Sequence, residues 1–267
     1  MDESDAYGCD VPIRQYSYSS SYSTRWKVEK TSSGAFRIAA GTGGELGFAL
    51  AVGSYVLNIN GIDIEQRTYT NDSNYQDEWF LFDMRDAALL AVPEADGRNR
   101  SSFFNNAIDY MQSWGYDDIY TRDADISWME CIGYLASSKI TVFRSHGNKT
   151  GITTSDGHMT RSDLLALGEN ALSPAKLVIY GACSTGSGGL SANNLVTATE
   201  ERGAETVIGF MDTIYTPPIN DWCRDLFSLL SQGRTIKEAC DALRDRYDDQ
   251  SGLRDYIIAG NSNLTFN

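Results

Sequence analysis

Two apolar, β-branched runs constrain this chain more than anything else in it. They are ITVFRSHGNKTG, from Ile140 to Gly151, and KLVIYGACSTGSGG, from Lys176 to Gly189. Each has the character of a buried strand and breaks off at a chemically reactive residue followed by glycine or other small residues. That pattern puts His146 and Cys183 at the carboxyl ends of two strands, the place where open α/β sheets build their sites.

The surrounding pattern agrees with such a sheet. From Asp86 onward, strand and helix signals alternate: AALLAV (Ala87 to Val92), a helix over about 102–114, DIYT (Asp118 to Thr121), a helix over about 126–137, the His146 strand, a helix over about 160–168 and the Cys183 strand. Strands separated by helices of this length imply a mainly parallel sheet with helices on both faces, so the reactive residues share one edge. Residues 1–85 differ. They are rich in Ser, Tyr, Gly and Thr, with β-type runs at 45–52 and 54–70 and an Asn60-Gly61 pair suited to a tight hairpin turn, and they read as a small β-rich region. The glycines of GTGGELG (Gly41 to Gly47) miss the dinucleotide-binding spacing and read as a structural loop. The expected division is therefore 1–85 and 86–267.

Composition removes several classes of function. At 267 residues the chain can bury a substantial core. A net charge of −14 is the wrong sign for a phosphate-binding surface, so no nucleic-acid partner is expected. No stretch approaches the ~20 apolar residues of a membrane span. The N-terminus is acidic and does not read as a leader; the expectation leans to a secreted or cell-envelope protein whose signal peptide has been removed, over a cytoplasmic one. Five cysteines without a CxxC pair indicate neither a zinc cage nor a dense disulfide framework, and no metal or organic cofactor is implied. Oligomeric state is not legible.

A thiol is a useful nucleophile near neutral pH when an imidazole can take its proton, and a strand-end thiol beside a strand-end imidazole supplies both parts. Cys131, Cys223 and Cys240 lie inside helical apolar patterns, where a cysteine is a small hydrophobe, and Cys9 lies near the terminus. Cys183 is followed by Ser184, Thr185, Gly186, Ser187, Gly188 and Gly189, small residues that let a substrate backbone approach. The chain has two histidines; His158 follows Asp156-Gly157, read as a solvent-facing hairpin turn, which leaves His146 as the base. Ser145 and Asn148 flank it, open to orienting, turn or cap roles.

His146 precedes Cys183 by 37 residues, the order caspases use and the reverse of papain. The strand-His-Gly and strand-Ala-Cys pair resembles the caspase-like (clan CD) cysteine peptidases, which include clostripain, gingipains, separase and the bacterial CHAT domains. The likeness is greatest to CHAT. GITTSDGHMTRSDL resembles that family's hairpin and following helix; after Cys183 come a small-residue turn, a helix through Leu195, the RGAETVIGFM strand, the helical run NDWCRDLFSLLSQGRTIKEACDALRDRY and the closing strand YIIAGNSNLTF. The resemblance spans roughly Asp86 to Phe266. It implies a caspase-like fold and an endopeptidase acting on proteins or peptides through a Cys183–His146 dyad and a thioacyl-enzyme. It also implies an oxyanion held by the backbone N–H groups of Gly147 and Cys183. Two other readings stay open: a catalytically idle CHAT-like interaction module, and another cysteine acyl hydrolase or transferase. As related peptidases do, the N-terminal region can serve as propeptide or lid; an accessory β-domain is the alternative.

Substrate preference is the finest expectation. Clostripain and gingipains select a basic residue through an acidic residue two before the nucleophile, and that position here is Gly181. Gly181 and Ser184 would line the substrate site, and Asp212 in GFMDTIYTPPIND, with Asp221 further on, offers a carboxylate. In a partly buried pocket it would favour Arg or Lys; on a surface loop it would only start a turn.

Overall fold

The computed structural model describes residues 85–91, 104–123, 125–247 and 251–266, together with six strands of the preceding stretch. The chain divides into two units, Met1–Phe82 and Asp83–Asn267. In the first, strands β1 (Val11–Pro12), β2 (Trp26–Lys30), β3 (Phe36–Ala40), β4 (Phe48–Val52), β5 (Ile64–Thr68) and β6 (Glu78–Trp79) form one antiparallel sheet in the order β1-β5-β4-β3-β2, with β6 pairing to β3. The Asn60-Gly61 turn, the GTGGELG loop and Cys9 lie outside the described residues.

The second unit is built on a six-stranded sheet. Its members are β7 (Arg85–Ala91), β8 (Ile119–Asp123), β9 (Ser138–Arg144), β13 (Leu177–Gly181), β14 (Thr206–Phe210) and β15 (Tyr256–Gly260), ordered β15-β14-β13-β9-β7-β8. All neighbours are parallel except β14 and β15. Parallel strands covered on both faces have no wet side, which is why LVIYG of β13 is buried at all five positions. Helices α1 (Phe104–Ser113), α5 (Pro218–Leu230) and α6 (Ile236–Arg246) close one face through Met111, Trp222, Phe227 and Leu243, packed with Leu89, Val142, Ile179 and Ile208. On the other face stand α2 (Trp128–Ser137) and α4 (Leu195–Glu201). There Phe143 stacks on Tyr180 at 5.3 Å, and Tyr180 bonds the Thr199 hydroxyl at 2.7 Å; since that hydroxyl donates to the Leu195 carbonyl, Tyr180 is the donor. Phe143 and Tyr180 are register partners, so their stacking pins β9 against β13.

A small sheet of β10 (Gly147–Asn148), β11 (Gly151–Thr154) and β12 (Gly157–Thr160) follows β9 and leads into α3 (Arg161–Leu165). Three local expectations shift. The β11–β12 turn is centred on Ser155-Asp156, because Thr154 pairs with Gly157; the Asp156 carboxylate is occupied accepting from the Thr154 hydroxyl and the Trp128 amide, both at 2.9 Å. The turn after Cys183 runs on to Asn194 and α4 only starts at Leu195, because Asn194 caps it and also donates to the Gly189 carbonyl. The long helical run from Asn220 to Tyr247 is two helices: Gly233 takes φ +79° and Thr235 starts α6 with a capping box.

Candidate active site

The register of two parallel strands brings the reactive pair together. Arg144, the last residue of β9, stands opposite Gly181, the last of β13; His146 and Cys183 each lie two residues further on. Neighbouring strands are about 4.8 Å apart, so equal offsets from paired residues set the two at one edge of the sheet. His146 is exposed and Cys183 half-buried.

Cys183 sits in a backbone cradle supplied by the continuation of β14. The Ile214 amide donates to Sγ at 3.4 Å, and Sγ lies 3.6 Å from the Ile214 carbonyl, which accepts from the protonated thiol. The first contact serves a thiolate, the second a thiol. The Ser184 amide donates to the Asp212 carbonyl and the Gly186 amide to that of Phe210, which straps the turn down. Ser184 takes φ +58°, a left-handed conformation that side chains seldom adopt, and so bends the chain sharply just after the nucleophile. The glycine at 186 serves packing: a Cβ there would stand 2.7 Å from Ile257. The small residue was expected to admit substrate, and it instead admits a neighbouring strand.

The hairpin after His146 leaves an unbonded amide beside the same turn. Gly147 pairs with Ile152, and the Thr153 amide donates to the His146 carbonyl, so the Gly147–Ile152 pair is of the type whose own N–H and C=O point away from the partner strand. A Cβ at Gly147 would lie 2.8 Å from the Ala182 Cβ and 3.1 Å from the Cys183 carbonyl, so this hairpin packs directly against the Cys183 turn. Among the described residues neither the Gly147 nor the Cys183 amide has an acceptor.

Beneath this edge lies a residue that sequence reading missed. Arg144 is 2% exposed and is the one charged side chain among the buried described residues. Its chain lies across Gly181, whose absent Cβ would meet Arg144 Cδ and one terminal nitrogen at 2.8 Å. Nε donates to Asn220 Oδ1 at 3.0 Å, and a terminal nitrogen makes a short bond to the Gly181 carbonyl. No carboxylate pairs with it among the described residues. Burial lowers its pKa to about 10, against the attraction of the Cys223 and Cys183 sulfurs, so it stays a cation at neutral pH.

The remaining candidates take structural places. Ser145 is buried and donates to the Thr153 carbonyl at 2.6 Å; Asn148 Oδ1 accepts from the amide and hydroxyl of Thr150. His158 is exposed on β12, paired with Thr153. Asp212 is exposed, and its backbone carbonyl rather than its carboxylate meets the Cys183 turn; Asp221 pairs with Arg224 at 2.8 Å. Cys131, Cys223 and Cys240 are buried, and burial pushes the Cys223 thiol up to about 12. No helix among the described residues is long and apolar enough to cross a membrane.

Comparison of the whole fold identifies the architecture. The chain superposes on gingipain R, an Arg-specific cysteine proteinase, with a TM-score of 0.56 and 16% identity over 68% of this chain. It superposes equally on the complex of pro- and mature domains of RgpB from Porphyromonas gingivalis, at 0.55 and 15% over 68%. The chain spans about half of each, 48% of their length. A separase–securin complex of Saccharomyces cerevisiae matches at 0.47 and 13%, over 66% of this chain and 12% of that one, too distant to argue from. No protein-family model and no curated relative matches by sequence. The second unit has the caspase-like fold of the clan CD peptidases. The greater likeness to CHAT expected from the motifs is not among these findings.

Proposed function

We propose that this protein is a cysteine peptidase in which Cys183 is the nucleophile and His146 the general base and acid. The observation behind it is the register: the residues that end two adjacent, parallel, largely buried strands are partners, and each is followed two positions later by a member of the proposed dyad. The fold it shares with cysteine proteinases supports the same reading.

The reaction follows from the groups at the edge. His146 takes the proton from Cys183, and the Ile214 amide stabilises the thiolate. The sulfur attacks the scissile carbonyl, and the oxyanion that forms is received by the unbonded amides of Gly147 and Cys183, donors of a kind that contribute ~3 kcal/mol each in a transition state. The C–N bond breaks as His146 protonates the leaving amine. Water then attacks the thioester, giving its proton to His146, and the C–S bond breaks to restore the thiolate.

A preference for basic residues would rest on Asp212, whose carboxylate is exposed, and the residue two before the nucleophile is Gly181. The N-terminal unit, 1–82, is proposed as a propeptide or an accessory domain; sequencing new N-termini from wild type and Cys183→Ala incubated side by side separates the two.

Labelling tests the central reading. A peptidyl acyloxymethyl ketone should attach to Cys183 and block cleavage of a peptide library. Labelling of Cys131, Cys223 or Cys240 with loss of activity, or an active Cys183→Ala protein, would overturn it.

A further inference from the structure

A guanidinium buried in a protein without a counter-charge is costly, because burial removes most of its hydration and two neutral acceptors only partly replace it. Arg144 is in that state. Its two bonds go to a carboxamide oxygen and a peptide carbonyl, and Nη2 has no acceptor among the described residues. The rest of the buried set is apolar or uncharged. Packing alone does not call for a cation here, since Arg144 continues the stripe of Ile140 and Val142, on the face covered by Ile219 and Trp222.

Its position relates it to the nucleophile. Cys183, in the turn after β13, packs against the same core cluster as Ile179 and Trp222, and the Arg144 chain crosses above Gly181 on that side of the sheet. Cys183 is two residues beyond Gly181, at most roughly 7 Å along the chain. When an acyl carbonyl rests on the sulfur, the side chain of the same residue has about that distance to cover, and a planar guanidinium with a free nitrogen suits a carboxylate.

We propose that Arg144 sets the substrate class of this site, selecting aspartate or glutamate on the acyl side of the cut. The inference rests on the Cys183–His146 reading above and fixes its specificity. Gly181 is then required because any side chain would displace the arginine from the floor of the site. Asn220 holds the guanidinium while leaving it uncompensated, so that the substrate carboxylate supplies the missing charge. The sign is opposite to the one an acidic residue at 181 or a buried Asp212 would give.

Two measurements test this. The first is cleavage of a positional-scanning fluorogenic library by wild type, Arg144→Met and Asn220→Asp, each checked for folding by circular dichroism. Asn220→Asp keeps shape and volume while giving Arg144 an internal counter-charge, so it stays informative if Arg144→Met does not fold. Wild type should cut after Asp and Glu at least 100-fold better than after Asn and Gln, and either variant should shrink that ratio to below 10. A basic or apolar preference in wild type, an acidic preference untouched by both variants, or an equal loss on all substrates would overturn the proposal. The second is calorimetric binding of peptide amides ending in Asp, Asn or Arg to Cys183→Ala protein. Selective binding of the Asp peptide, lost in Cys183→Ala/Asn220→Asp, supports the acidic site even if wild type cleaves nothing, in which case only the peptidase reading falls. Cleavage after arginine sinks the acidic site and leaves the peptidase.

Discussion

Strand β9 begins and ends near a cation, and the two are treated in opposite ways. Lys139, at the amino edge of the sheet, meets the Asp86 carboxylate at 2.6 Å and lies over the Tyr116 ring. Asp86 also accepts from the amides of Asp117 and Asp118, and Arg85 pairs with Asp118. Each of these four charges is answered, although the buried hydroxyls of Ser137 and Ser138 at the same edge have no hydrogen-bond partner among the described residues. At the carboxyl edge, among the described residues, Arg144 is buried without a counter-charge, two amides lack acceptors, and Ser184 holds a left-handed backbone. An uncompensated buried cation costs far more than an unpaired hydroxyl, so the difference between the edges lies in how charge is met. The amino edge meets its charges internally; on the reading proposed above, the carboxyl edge leaves its own for a substrate.

That contrast predicts which substitutions strike activity and which strike stability. The largest effect belongs to the dyad. Cys183→Ala and His146→Ala should each lower hydrolysis by more than about a thousandfold while the urea unfolding midpoint stays at the wild-type value, since neither side chain is part of the buried core. A variant that loses activity only because it unfolds would break the comparison.

Next comes Gly147→Ala. The backbone there is compatible with alanine, but the new Cβ would stand 2.8 Å from the Ala182 Cβ, so the hairpin must shift by tenths of an ångström. A displaced oxyanion donor should cost roughly 10- to 100-fold in kcat with KM nearly unchanged. Steady-state kinetics on one peptide decide it, and Ala182→Gly in the same chain should recover part of the loss. A change in KM alone would remove Gly147 from the reaction.

Much of this was legible in the residues. Continuous apolar runs gave away the parallel strands, and the residues just past them marked the sheet edge that carries His146 and Cys183. What was hidden depends on partners distant in the chain. Arg144 reads as the polar end of a strand, and only Gly181 and Asn220 turn it into a buried cation. The Ile214 amide that reaches the sulfur is backbone and has no residue-type signature at all. Ser145 and Asn148 flank the histidine and are open, from the sequence, to orienting, turn or cap roles; their bonds to Thr153 and Thr150 belong to the hairpin. The helix break at Gly233 was visible as a glycine, but the amphipathic pattern on either side hid it.

On the face opposite Arg144, Tyr180→Phe removes the hydroxyl that donates to Thr199 and leaves the ring stacked on Phe143. Thr199 keeps its bond to the Leu195 carbonyl, so the loss is one buried hydrogen bond, about 1 kcal/mol by denaturant titration. Activity should not change. A drop in kcat without a drop in stability would mean that the register of β9 and β13 is felt at the dyad more sharply than the packing requires.

The smallest effect is at the amino edge, and pH reveals it. The bond to Lys139, with help from the Asp117 and Asp118 amides, holds the Asp86 carboxyl below its ordinary value; the same pair raises Lys139. A lowered carboxylate contributes stability above its unfolded pKa, about 3.9, and loses it as pH falls through the folded value; a raised lysine contributes below its unfolded pKa, about 10.4, and loses it as pH climbs past the folded one. The pair is partly exposed, so its contribution is held to the few tenths to ~1 kcal/mol of a surface ion pair. Asp86→Asn should therefore lower the unfolding midpoint by a constant small amount between about pH 5 and 9, and the gap to wild type should close toward both extremes and in 1 M salt. Hydrolysis at neutral pH should be unaffected. A gap that persists once the pH has fallen through the folded pKa of Asp86, where both proteins carry an uncharged side chain at that position, would show that Asp86 acts through the geometry of the β7–β8 junction, and the two edges would then differ in shape rather than in how their charges are met.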